Sequence, residues 1–275
     1  MFAKKSLGQN FLNSPSALQA MIEAGRVEKG DTVLEIGPGR GVLTEAILAT
    51  GAKIVAIEKD DQLFEFLQEK FATEIKNKKL ILIHDDILTI PTHQNFFSKN
   101  LGGQAYKLIA NIPYNITGQI IRKFLSGPTS QPTLMVLMLQ KEVAKRIVAD
   151  DKKPAKIFAP QKLKRAKESL LSISVKVFGE PKYIKTVPAG AFRPAPKVDS
   201  AILLIDKINC NNFKKNKIKE EKFFDILHRG FTQKRKLLAS NLKITPTILV
   251  DCQIGEKARA ENLTVKNWLC LAVKI

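Results

Sequence analysis

Four short stretches of this 275-residue chain carry residue types suited to chemistry, and each follows a strand-like block. The first is Glu35-Ile36-Gly37-Pro38-Gly39-Arg40-Gly41, a turn between an apolar run and a helical one. Glycine reaches positive φ at little cost and lets the backbone approach a ligand closely. The spacing is GxGxG. A dinucleotide fingerprint needs Gly or Ala at the sixth position, and residue 42 is Val42. The loop therefore suits a ligand whose amino-acid and ribose parts lie along it, without a pyrophosphate. Glu58 ends the next block, where an acid accepts hydrogen bonds from both ribose hydroxyls. Asp85 and Asp86 close the third, and spacing alone leaves open which of them accepts from an exocyclic amine. A glycine turn or a helix-entry acid is ordinary in isolation; their order on successive strands gives them weight.

Asn111-Ile112-Pro113-Tyr114 follows the fourth block. An adenine amino group is a poor nucleophile because its lone pair is delocalised into the ring. Two acceptors aimed at its hydrogens, the Asn111 side-chain oxygen and a backbone carbonyl, favour a pyramidal nitrogen with a localised lone pair. Pro113 stiffens the loop, and Tyr114 offers a face for base stacking. No metal, strong base or covalent nucleophile is required. An isolated Asn-x-Pro-Tyr is a common turn; on strand four, behind a GxGxG loop on strand one, it reads as a site for a target base.

The elements that must position these residues follow from periodicity. Thr32–Ile36, Lys53–Glu58, Leu80–His84, Tyr106–Ala110 and Leu134–Leu139 read as strands, with helices over Val42–Ala49, Asp60–Ala72, Ile116–Leu125 and Glu142–Val148. Asp60 is placed to cap its helix. This alternation predicts an α/β domain on a parallel sheet. Leu171–Phe178 and Val198–Ile205 read as two late strands. Asn209–Lys219 resembles a linker, with helical patterns beyond it. A boundary near 206 divides the chain into domains 1–205 and 206–275.

Charge separates the halves. Residues 1–150 carry 18 Lys+Arg against 15 Asp+Glu, whereas residues 151–275 carry 27 against 11, which is most of the formal +19. Such asymmetry points to a polyanion partner, with a merely lysine-rich soluble surface as the bland reading. No apolar run is long enough for a membrane span, and the start MFAKKSLGQNF lacks the apolar core of a secretory signal. Three widely spaced cysteines, Cys210, Cys252 and Cys270, argue against a disulfide framework and for a reducing cytoplasm. Three histidines, none paired at ligand spacing, give no metal site.

The order of these motifs resembles the small-subunit (16S) ribosomal RNA adenine N6,N6-dimethyltransferases of the KsgA type. The matching pieces are KKSLGQNFL (4–12), EIGPGRGVLT (35–44), Glu58, DDIL (85–88), NIPYNI (111–116) and LQKEVAKRI (139–147). GAFRPAPKVDSA (190–201), FTQKRKLLASNL (231–242) and RAENLT (259–264) continue the match, so it covers most of the chain. The resemblance implies a Rossmann-like class I methyltransferase sheet with a small all-α C-terminal domain. It implies S-adenosyl-L-methionine as methyl donor, without a metal, and dimethylation of two adjacent adenosines near the 3′ end of the small-subunit rRNA. The implied partner is that rRNA in a pre-ribosomal 30S particle, met by a cytoplasmic monomer. Residue by residue, it puts Asn10, Leu12, Gly37, Glu58, Asp86 and Asn111 at the donor. It puts Asn111, Pro113, Tyr114 and Phe192 at the target adenine. Asn10 and Leu12 carry no such signal of their own, and Phe192 alone reads as core. The pattern departs from the family at 151–169, where a lysine-rich stretch replaces a short Tyr-Gly loop.

Three other readings compete. A large-subunit rRNA adenine methyltransferase of the macrolide-resistance type shares the donor and base motifs, but the C-terminal runs favour the small-subunit type. A mainly non-catalytic ribosome-assembly or transcription factor on the same fold would not need GxGxG, Glu58 and NIPY intact. A small-molecule methyltransferase has no use for the positive C-terminal part.

Overall fold

The structure, a computed structural model, describes residues 4, 8–90, 100–101, 103–126, 131–149 and 167–275. The chain divides into two compact units. One is Met1–Ala144 with Glu180–Ile208; the other is Lys145–Gly179 with Asn209–Ile275. The sequence boundary near 206 coincides with the end of the first unit's last strand, and residues 145–179, which precede it, belong to the second unit.

The first unit is built on strands β1 (Phe11–Leu12), β2 (Thr32–Ile36), β3 (Lys53–Glu58), β4 (Leu80–His84), β5 (Lys107–Asn111), β6 (Leu134–Gln140), β7 (Glu180–Val187), β8 (Phe192–Arg193) and β9 (Ser200–Asp206). Helices α1 (Pro15–Gly25), α2 (Val42–Ala49), α3 (Asp61–Lys70), α4 (Ala72–Lys76) and α5 (Thr117–Leu125) lie between them; α6 (Lys141–Val148) follows β6. Seven strands form one sheet in the order β4-β3-β2-β5-β6-β9-β7. The first five run parallel. β6, with sequence LMVLMLQ, is buried over six of its seven residues, as a strand covered on both faces must be. The sheet extends from β2 to β3 and β4 on one side and to β5 and β6 on the other. The crevice at the carboxyl ends of β2 and β5 is therefore the switch point at which open α/β sheets bind ligands.

Several expectations need correction. The sheet is mixed, because β9 is antiparallel to both β6 and β7. β7 and β9 are joined by a connection without a crossover helix, which antiparallel pairing allows. Leu171–Phe178 is not a strand: Leu170–Lys176 is helix α7, started by a reciprocal capping box between Ser169 and Ser172. Sequence missed the short pair β1 and β8, and also β7, whose mostly alternating exposure and Pro181 fit an edge position. Asn209–Lys219 is not a bare linker, since Asn211–Asn216 forms helix α8 and buries Phe213.

The second unit holds α7, α8, α9 (Glu220–Phe231), α10 (Leu238–Leu242), α11 (Pro246–Asp251) and α12 (Val265–Lys274). Phe178, Phe213 and Phe223 form its aromatic core. Gly230 lets α9 approach α12 closely, because a Cβ there would stand 2.3 Å from the Trp268 ring. Cys252 and Cys270 are bonded to each other, against the expectation from spacing. The bond spans a sequence separation of 18 and closes a loop from the end of α11 into α12. The expectation for 151–169 falls mostly on residues 151–166, which lie outside the described ones. Among the described residues no helix is long and apolar enough to cross a membrane.

Candidate active site

The carboxyl ends of β2, β3, β4 and β5 surround one cavity of about 250 Å³ in the first unit. After β2 the chain turns through Gly37, Gly39 and Gly41 at φ 63°, 60° and 75°, and Gly41 stands at the N-cap of α2. These left-handed positions are the reason for glycine here. A Cβ on Gly37 would meet no atom within 4 Å, whereas one on Gly41 would lie 2.5 Å from the Phe71 ring. The loop is thus open at Gly37 and tightly packed behind Gly41.

Glu58 at the end of β3 is 5% exposed. Its carboxylate accepts from the backbone N–H of Gly39 at 3.1 Å, and from those of Lys59 and Asp60 at 2.9 Å. One acid therefore fixes the glycine loop to the next strand while lining the cavity. Burial raises its pKa, and the three N–H groups act against that. Next to it, Asp60 caps α3 through Gln62 and Leu63. Burial works upward on Asp60, but bonds from Lys4, Leu63 N–H and Gln9 outweigh it and hold the acid below its ordinary value.

Glu35 also lines the cavity and was not singled out by sequence. It is 1% exposed and accepts from the Thr44 hydroxyl at 2.7 Å, a tie between β2 and α2 across the glycine turn. Burial pushes its pKa up to about 8; Thr44 opposes this, and Glu58 adds to it. An acid inside the apolar run TVLEI was the available signal.

Asp85 and Asp86 both line the cavity. Asp86 Oδ1 accepts from Leu88 N–H at 2.9 Å and Oδ2 pairs with Lys59 Nζ at 2.7 Å. Asp85 instead accepts from the N–H of Asp86 at 2.7 Å.

Asn111 ends β5, and its side-chain nitrogen donates to the Asn10 carbonyl at 3.2 Å. Ile112 N–H bonds to the Met138 carbonyl, and Pro113 leads into a single turn of 3₁₀ helix over Tyr114–Ile116. The Tyr114 hydroxyl is hydrogen-bonded at 2.6 Å to that of Ser200, which is fully buried on β9. Burial raises the Tyr114 pKa, with Ser200 opposing. Asn10 and Leu12 reach the cavity because β1 pairs with β8, Leu12 opposite Phe192. The cavity wall therefore brings together Asn10, Leu12, Gly37, Glu58, Asp86, Asn111, Pro113 and Tyr114. Phe192 is not among its lining residues; at 1% exposed it packs in the core with Leu12, Met21 and Met138.

The arrangement joins a glycine loop and a buried strand-end acid to an amide and an aromatic ring on one wall. The family model for ribosomal RNA adenine dimethylase matches residues 2–275. The chain is 38% identical to the ribosomal RNA small subunit methyltransferase A of Dehalococcoides mccartyi, over 98% of this chain and 88% of that protein. It is 35% identical to the protein of that name from a Nostoc species, over 98% and 96%. Among solved structures, a dimethyladenosine transferase from Plasmodium falciparum superposes with a TM-score of 0.72 at 25% identity, covering 95% of each chain. The 23S rRNA methyltransferase ErmE superposes with a TM-score of 0.68 at 21% identity, covering 96% of this chain and 98% of that one, and shares the fold.

Proposed function

This chain belongs to the ribosomal RNA adenine dimethylase family, and we infer that it dimethylates N6 of two adjacent adenosines near the 3′ end of small-subunit rRNA with S-adenosyl-L-methionine. The observation that carries the reading is the single cavity wall on which Gly37, Glu58 and the Asn111–Tyr114 loop meet. The open space at Gly37 fits the donor's amino-acid part, and Glu58 fits its ribose. Asp86 takes the donor's base, while Asn10 and Leu12 close over it.

Asn111 holds the target amine through its side-chain oxygen, with the loop backbone as second acceptor. The amine nitrogen forms a bond to the methyl carbon as the carbon–sulfur bond breaks. The nitrogen then gives up a proton to solvent, and the sulfonium leaves as a neutral thioether. Tyr114 supports the extruded base from one side, at an extrusion cost of a few kcal/mol. Phe192, buried and paired opposite Leu12, acts on the base through the β1–β8 ribbon of which it is part. The positive segment 206–275 binds the rRNA, in a 30S precursor, and the enzyme works as a cytoplasmic monomer. The names of the curated relatives favour the small-subunit substrate over the large-subunit alternative.

The test is transfer of labelled methyl groups from S-adenosylmethionine to ribosomal particles from cells lacking this chain. Dimethyladenosine at two adjacent positions in the small-subunit rRNA is expected. Label confined to large-subunit rRNA, or absent from both, would overturn the reading.

A further inference from the structure

The loop after β4 carries part of the cavity lining, Asp85 to Leu88, yet β4 is an edge strand of the sheet, and among the described residues it has a neighbouring strand on one side only. Its internal bonds make a single turn: Thr89 and Ile90 N–H both reach the Asp86 carbonyl, and Leu88 N–H reaches the Asp86 side chain. The carbonyls of Leu88 and Ile90 leave that turn, and both accept from one cation, Lys123 Nζ on α5, the former at 3.3 Å. Lys123 lies 35 residues from Leu88 in sequence, on the helix that follows the Asn111–Tyr114 loop. Lys59 grips the same turn through the Asp86 carboxylate. The turn is therefore clamped by two ammonium groups, one on its side chain and one on its backbone.

We propose that Lys123 is a positioning residue for donor recognition: by holding the Leu88 and Ile90 carbonyls, it sets where the Asp86 carboxylate meets the exocyclic amine of the donor's base. The proposal rests on the functional reading above. A lysine that donates to carbonyls in a half-buried place gives up hydration for geometry. Burial lowers its pKa, against the pull of Asp86 and Asp85. Its stem lies on the amphipathic α5, whose Ile120, Ile121 and Phe124 anchor it in the core. The clamp is thus fixed to the same helix that the target-base loop leads into, and one element orients both ends of the transfer.

The experiment compares two product-like ligands, S-adenosylhomocysteine and S-inosylhomocysteine, in which oxygen replaces the exocyclic amine. Calorimetry on the full chain gives their dissociation constants, and the ratio reports recognition of the base's amine-bearing edge, because N1 also changes from acceptor to donor when oxygen replaces the amine. The wild type is expected to prefer the adenine form by at least about tenfold, the size of one charge-assisted hydrogen bond. Lys123→Met should weaken the adenine form about tenfold, leave the inosine form nearly unchanged, and so collapse the ratio. Lys123→Gln, which reaches one carbonyl, should fall between, and Lys123→Arg should restore most of the ratio. An unchanged ratio in Lys123→Met, or equal weakening of both ligands, would overturn the proposal. A wild type that binds neither ligand would instead remove the donor reading, and this proposal with it.

Discussion

The Asn111 side-chain nitrogen donates to the Asn10 carbonyl oxygen at 3.2 Å, across 101 residues of sequence. This bond fixes which way the amide faces. With the nitrogen turned to the N-terminal segment, the side-chain oxygen remains as the acceptor of a residue that lines the cavity. The N-terminal segment and the Asn111–Tyr114 loop are thereby tied by one contact.

Glu58 has two tasks, since it lines the cavity and accepts from three backbone N–H groups. Glu58→Ala should raise the donor's dissociation constant at least about tenfold by calorimetry, from loss of a charge-assisted bond of ~1.5–3 kcal/mol. It should also lower the melting temperature, because buried donors lose their acceptor. Unchanged donor affinity would remove Glu58 from the site. Because its pKa is raised, acid should weaken donor binding at a higher pH than an ordinary carboxylate would.

Glu35 gives a stability signature. Its pKa rises from 4.5 to about 8 on folding, so between those values the folded state holds a proton that the unfolded state has lost. Its stabilising contribution is whole below 4.5 and is lost as pH rises through about 8, with a slope of up to ~1.4 kcal/mol per pH unit. Denaturant titrations across that window should show a decline in wild type that flattens in Glu35→Gln. Equal slopes in the two proteins would mean that Glu35 is ionised when folded.

The glycine loop separates strain from overlap. Gly37→Ala meets open space and should cost the ~1–2 kcal/mol of a left-handed non-glycine residue. Gly41→Ala adds an overlap with Phe71 at 2.5 Å and should cost clearly more, by ~1–3 kcal/mol. Equal losses in thermal unfolding would mean that Phe71 yields freely.

Tyr114 is held by Ser200, so the ring is positioned as well as present. Tyr114→Phe keeps the face but leaves the buried Ser200 hydroxyl without this partner, and should cost a few-fold in rate. Tyr114→Ala removes stacking worth ~1–3 kcal/mol and should lose far more. Similar rates for the two variants under single-turnover conditions would argue against a stacking role.

Glu58, Gly37 and Asn111 were legible because each ends or follows a strand whose apolar run marks its own carboxyl end. Asn10 and Leu12 were not, since they reach the cavity through pairing with Phe192 and Arg193, about 180 residues away. Sequence resemblance supplied them. Asp85 and Asp86 differ only in what binds their oxygens, which depends on Lys59. Lys123 was invisible for the same reason: its partners are backbone carbonyls, which leave no trace in side-chain spacing. The α7 segment misled because LLSISVKVF alternates like a strand, while the Ser169–Ser172 capping box decides for helix. The Cys252–Cys270 bond could not be read from an odd count of separated cysteines.

In the proposed reaction the Asn111 oxygen prepares the target amine for methyl transfer. Single-turnover methylation of pre-ribosomal subunits by Asn111→Ala, at saturating donor, tests it most directly. Loss of one preorganised partner at a reacting centre costs ~10²–10³ in rate. A fall of that size, with rRNA affinity near that of wild type, is the expected result. A fall of only two- or threefold would contradict the account.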